Sequence, residues 1–175
     1  MSDAASNANG VGRMWPSGER FGVTFERAYA AAPADVWAAI TDEVALAAWF
    51  APVSGDFQTG GRYEIDFGQG AERQTGEIRD CDAPSTLSLT WDHPGEPASL
   101  VTVRLAGGLG GGTNLILEHD LLPGSGAAGY SAGWHAYLDR LTARLTGNDL
   151  PDWEHVFNDT IGHYKRQLAM IPTIA

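Results

Sequence analysis

The stretch Tyr29–Phe67, YAAAPADVWAAITDEVALAAWFAPVSGDFQTGGRYEIDF, opens with two short helical patterns and then turns into strands. Pro33 suits the first turn of a helix, where its missing N–H has no helical partner. Asp35 places a negative charge at the positive end of the helix dipole. Val36, Trp37 and Ile40 are expected to face inward. Asp42 caps a second helix in which Val44, Ala48 and Trp49 share a side, and Pro52 prevents its continuation. Two short helices feeding a Gly-Gly-led strand predict a helical connector attached to a curved sheet, with a hydrophobic pocket on the sheet's inner face.

Outward from this stretch the pattern is of strands. Upstream, Phe21–Ala28 alternates, with Val23 and Phe25 on one face and Thr24 and Glu26 on the other. Downstream, strands are expected at 53–57, 62–67, 74–80, 86–91, 100–105 and 113–120. Asp-Ala-Pro-Ser, His-Pro-Gly-Glu-Pro and GGLGGG act as turns, and connections this short favour an antiparallel meander. Trp134, Tyr137, Leu138, Leu141 and Leu145 recur at helical spacing, and Gly147 stops that helix. A last amphipathic helix at 152–169 carries Trp153, Val156, Phe157, Ile161, Tyr164 and Leu168 on one stripe, which must cover its own domain or a partner. Residues 1–19, rich in Ser, Asn, Gly and Ala, read as a mobile leader. The main domain is placed at 20–147 and a helical extension at 148–175.

With 175 residues the chain can bury roughly 70% of its unfolded surface as one core. A single cysteine, Cys81, forms no internal disulfide, and no signal-peptide pattern leads the chain, so a cytoplasmic protein is expected. Acidic side chains number 22 against 11 basic, a formal charge of -11, which repels nucleic-acid phosphates and anionic lipid headgroups. No apolar run is long enough for stable membrane insertion.

Four segments carry a family resemblance: AAPADVWAAITDEVALAAWF, TGGRYEI, GGGTNLILEH and GWHAYLDRL. In this order they resemble domains similar to the activator of the heat-shock-protein-90 ATPase, within the SRPBCC superfamily of START domains and polyketide cyclases. The resemblance spans Phe21–Thr146. It implies an α+β helix-grip (START-like) fold, a curved antiparallel sheet of about six to seven strands wrapped around a long C-terminal helix. It implies a ligand cavity or a protein-binding domain more readily than one reaction. The last helix lies outside it.

The residues expected to line a pocket between sheet and long helix are Trp37, Trp49, Phe50, Tyr63, Ile65, Phe67, Trp91, Leu117, Trp134, Tyr137, Leu138 and Leu141. Aromatics dominate small-molecule pockets, and they also fill ordinary cores. His119 ends the inward series Leu115, Leu117, His119, so it either orients the polar end of a ligand or is a buried histidine satisfied by neighbours. His135 is placed at the cavity rim or in solvent, and His93 in an entrance turn. No paired metal-ligand spacing and no nucleophile elbow are present, so neither metal nor cofactor is expected. Asp80 and Asp82 beside Cys81 disfavour its thiolate. The favoured function is binding of a hydrophobic small molecule, a lipid or a polyketide-like compound. A cyclase- or hydrolase-type enzyme using a pocket histidine is the first alternative. The second is an interaction module with a chaperone partner or a second copy of the chain.

Overall fold

The computed structural model describes residues 10–68, 70–71 and 73–172. Its elements, in chain order, are β1 (Arg13–Ser17), β2 (Arg20–Tyr29), α1 (Pro33–Thr41), α2 (Glu43–Trp49), β3 (Val53–Gly55), β4 (Arg62–Ile65), β5 (Gln74–Asp82), β6 (Thr86–Trp91), β7 (Ser99–Gly107), β8 (Thr113–Leu122), α3 (Ala127–Thr146) and α4 (Trp153–Met170). The strands form one antiparallel sheet of eight in the order β1-β2-β8-β7-β6-β5-β4-β3. The α+β helix-grip architecture expected from the sequence is therefore present, with one strand more than the upper expectation.

The extra strand is β1, inside the segment read as a leader; residues 1–9 of that segment lie outside the described residues. β1 pairs with β2 from Arg13↔Thr24 to Ser17↔Arg20. Pro16 is tolerated because β1 is an edge strand, where a missing N–H costs no ladder bond on the open side. Alternation fixes the central register. Along β8, Thr113, Leu115, Leu117 and His119 are buried, and across the ladder Leu117 faces Val103 while His119 faces Val101. A slip of one residue would turn all of them to solvent.

Asp42 ends α1 and caps α2, its Oδ1 accepting from the Ala45 N–H at 2.9 Å. The inward face of α2 differs from the expected one: Leu46 and Trp49 are buried, whereas Val44 is 82% exposed and Ala48 is exposed. Helix α3 begins seven residues before the expected Trp134, because its first two turns bury small side chains, Ala127, Ala128, Ser131 and Ala132. It ends at Gly147 with φ 72, the left-handed conformation that glycine adopts without penalty. Asp152 caps α4, accepting from the His155 N–H at 2.8 Å.

The stripe of α4 covers its own domain. Tyr164 is fully buried, its hydroxyl accepting the Gly12 N–H at 2.9 Å. Gln167 Oε1 accepts from the Met14 N–H, and Gln167 Nε2 donates to the Gly12 carbonyl. The chain ahead of β1 and the last helix are thus tied together over the N-terminal edge of the sheet. Among the described residues no helix is long and apolar enough to cross a membrane.

Candidate functional site

Two voids lie between the sheet and α3. The inner one, about 80 Å3, is enclosed by Trp49, Tyr63, Ile65, Leu117, Leu138 and Leu141 among other apolar side chains. The outer one is a cleft of about 520 Å3 at the end of the sheet where β5 begins and β6 ends. Its walls come from the segment after α2 (Phe50), the segment after β4 (Phe67), the N-cap of α3 (Gly126) and one face of that helix (Gly129, Tyr130, Gly133, Tyr137), and the start of α4 (Trp153, Phe157). Phe50, Trp91 and Trp134 line both voids and so form the partition between them.

The partition is an aromatic assembly. Phe50 and Trp134 are parallel with centroids 6.0 Å apart, Phe50 meets Tyr137 edge-on at 4.4 Å, and Trp91 meets Trp134 at 5.6 Å. Such offset and edge-to-face pairs add to the area they bury. Toward solvent the series continues through Tyr137–Trp153 at 5.6 Å and stacked Trp153–Phe157 at 5.0 Å. The room for the cleft comes from the glycines. A Cβ on Gly129 would meet nothing within 4 Å, and one on Gly133 would meet only the Trp153 ring, at 3.6 Å. Gly76 instead allows close approach: its missing Cβ leaves space for the Tyr63 ring, whose hydroxyl donates to the Thr90 carbonyl at 2.7 Å.

The expected site residues divide accordingly. Trp49, Tyr63, Ile65, Leu117, Leu138 and Leu141 face the inner void, Phe67 and Tyr137 face the cleft, and Phe50, Trp91 and Trp134 face both. Trp37 lines neither. The inward face of α1 is Val36, Ala39 and Ile40, a helical i, i+3, i+4 set that leaves Trp37 about 100° off that face. Trp49 does not guard an entrance, for it is buried and its Nε1–H donates to the Ala39 carbonyl at 2.8 Å.

His119 also lines neither void. Its Nδ1 accepts from Trp134 Nε1–H at 2.9 Å. An indole nitrogen only donates, so the ring proton is on Nε2, which donates to Ser99 Oγ at 2.8 Å. With both nitrogens engaged and no solvent contact, burial holds its pKa down at about 3. It is the satisfied core histidine, and its task is to fix the Trp134 ring in the partition.

His135 is neither at the rim nor in solvent. It is buried between α3 and α4, with Nδ1 2.8 Å from the Tyr164 hydroxyl and Nε2 3.6 Å from Asp139 Oδ2. Burial lowers its pKa, with the Asp139 carboxylate opposing. Nε2 faces the acceptor oxygen of Asp139 and so carries the ring proton, which leaves Nδ1 to accept from Tyr164 O–H. His93 does line the cleft, in the turn after β6, with Nδ1 3.0 Å from the Pro94 carbonyl. The Cys81 thiol is pushed up by burial, then by Asp80 and Asp82. Among the described residues, no group of three or more His, Cys, Asp or Glu side chains is placed to hold a metal ion.

Seven cleft residues were not anticipated as site residues: Gly126, Gly129, Tyr130, Gly133, Trp153, Phe157 and Gln74. Gln74, the first residue of β5, is 1% exposed, donates from Nε2 to the Thr75 carbonyl at 3.0 Å, and has no partner for Oε1 among the described residues. The strand alternation contained it, since Gln74, Gly76 and Ile78 are every second residue on the buried face.

The model of the family described as Activator of Hsp90 ATPase homolog 1-like protein matches residues 30–146. The chain belongs to this family. The match runs from α1 to the end of α3, which leaves β1, β2 and α4 outside it. Among solved structures, CalU16 from Micromonospora echinospora is 28% identical with a TM-score of 0.74, covering 90% of this chain and 94% of its own. DynU16, from the dynemicin biosynthetic locus, is 29% identical with a TM-score of 0.66, covering 75% of this chain and 49% of its own. The Aha1 dimer from Colwellia psychrerythraea shares the fold at 15% identity, with a TM-score of 0.62 and coverage of 71% and 95%. A comparison with curated proteins finds no match. The expected membership of the SRPBCC superfamily, in its Activator of Hsp90 ATPase homolog 1-like branch, is borne out.

Proposed function

We propose that this family member binds a hydrophobic small molecule whose aromatic body occupies the cleft between the sheet, α3 and α4. The observation that carries the reading is the volume and wall chemistry of that cleft: about 520 Å3, bounded mainly by aromatic rings. Small-molecule sites are typically ~300–1,000 Å3 with apolar and aromatic walls and few polar groups. The inner void of about 80 Å3 is well below that range, so an acyl chain has no tunnel to enter. That favours a compact, polyketide-like ligand over a lipid.

Catalysis by His119 loses its support, because both ring nitrogens are committed inside the core. A chaperone partner or a homodimer has no separate support from α4, whose apolar stripe is laid on α3 and β1. Native mass spectrometry of freshly purified protein, followed by organic extraction, tests the reading. A stoichiometric aromatic compound, displaced when Gly129 is replaced by Leu, is the expected result. A retained fatty acid, or binding indifferent to Gly129→Leu, would refute the placement in the cleft.

A further inference from the structure

This inference rests on the binding role of the cleft and concerns what holds its walls in place. Two of the walls come from segments far apart in sequence: Phe50 follows the end of α2, and Trp153 opens α4. Arg140, on α3, reaches the backbone behind both. Its Nε–H donates to the Trp49 carbonyl at 2.8 Å and its Nη1–H to the Pro151 carbonyl at 2.9 Å. Trp49 immediately precedes Phe50 and is the last residue of α2, where a helix leaves its carbonyls without intrahelical partners. Pro151 precedes Asp152, the cap of α4, and so lies just ahead of Trp153.

Both walls meet a third, Tyr137, at 4.4 Å for Phe50 and 5.6 Å for Trp153. Arg140 follows Tyr137 by one helical turn; burial raises the Tyr137 hydroxyl to about 12, and the nearby guanidinium opposes that rise. The near half of α4 needs such a tether. Tyr164, toward the far end, is the only buried residue of that helix, and the half that carries Trp153 and Phe157 has none. A guanidinium is planar and rigid, so two of its donors hold two acceptors in a set relation, whereas a lysine ammonium on a flexible stem does not.

We propose that Arg140 is a positioning residue of the cleft: by tying the end of α2 and the start of α4 to α3, it holds the Phe50 and Trp153 walls at the separation a ligand meets, without lining the cleft itself. Walls already in place need not be ordered when the ligand arrives, and affinity gains accordingly.

The test titrates the full-length protein, well below its melting temperature, with N-phenyl-1-naphthylamine, a neutral aromatic probe that fluoresces in apolar sites. Native mass spectrometry counts the bound probe. Arg140→Met keeps the apolar stem and removes both hydrogen bonds, and should weaken the probe at least about tenfold. Arg140→Lys keeps the charge without the fork and should not restore the affinity; it also carries the comparison should the methionine variant not fold. Tyr164→Phe acts on α4 away from the cleft, so it should lower stability and leave probe affinity unchanged, which separates positioning from a general loss of stability. Affinity unaltered in Arg140→Met, restored in Arg140→Lys or lost equally in Tyr164→Phe overturns the role of Arg140, while wild-type binding that Gly129→Leu abolishes keeps the cleft as the binding site. No binding by the wild type, or binding indifferent to Gly129→Leu, removes both readings.

Discussion

Replacing Tyr164 by Phe tests whether α4 is part of the folding unit. Tyr164 has no solvent exposure, and its hydroxyl accepts the Gly12 N–H at 2.9 Å while donating to His135 Nδ1 at 2.8 Å. The phenyl ring left behind keeps the contacts with Phe25 at 6.2 Å and His135 at 6.0 Å, so the cavity created is only one oxygen wide. The cost is that of a backbone N–H and an imidazole nitrogen left without partners, about 1–3 kcal/mol for each orphaned group. A total of about 2–4 kcal/mol follows, allowing for partial relaxation. For a domain of this size each kcal/mol moves Tm by about 2–4 °C, so the variant should melt about 4–16 °C lower. Urea unfolding followed by tryptophan fluorescence supplies the free energy and calorimetry the Tm. A loss under about 1 kcal/mol would mean that water reaches Gly12 and that α4 is an appendage, refuting the account of the extension as structural.

Three further outcomes are expected. His119, held near pKa 3 against 6.5 for the free side chain, stays neutral in the fold while the unfolded chain takes up a proton as pH falls below 6.5; its contribution is full above 6.5 and shrinks by ~1.4 kcal/mol per pH unit down to the folded value. The stability gap between wild type and His119→Gln should therefore narrow by about 2 kcal/mol from neutral pH to pH 5, and a gap indifferent to pH would contradict the buried neutral ring. Gly129→Leu, in the first turn of α3, should leave the stability of the ligand-free protein within about 0.5 kcal/mol of the parent and weaken any cleft ligand at least about tenfold; unchanged binding by calorimetric titration would contradict the cleft's placement. Truncation after Gly147 removes the Trp153 and Phe157 walls and uncovers the face of α3 that buries Tyr164, so circular dichroism and light scattering should report unfolding or association. A truncated monomer with the parental Tm would show that α4 covers nothing of consequence.

The strands were legible because alternation is a local property of the chain: Leu115, Leu117 and His119 point one way in any register that buries a face. The first half of α3 was not. In AAGYSAG the core-facing residues are alanine and serine, whose burial depends on how closely the helix approaches the sheet, and no hydrophobic periodicity reports a distance. β1 was missed for a related reason: RMWPS is short, contains a proline, and becomes a strand only because β2 offers it an edge and α4 fastens the residues ahead of it.

The site shows the same division between direction and partnership. That His119 points inward follows from β8 alone, but whether its nitrogens remain free for a ligand depends on Ser99 of β7 and Trp134 of α3, residues 20 and 15 positions away in sequence. Gln74 is the converse case. Its inward direction was available from the alternation with Gly76 and Ile78, but a glutamine at a strand start ordinarily finds a backbone partner, and here one end of the amide did. What distinguishes it is that the other end has no hydrogen-bond partner among the described residues. The shared domain therefore accounts for the partition, while part of the cleft's rim, Trp153 and Phe157 of α4, comes from outside the family match.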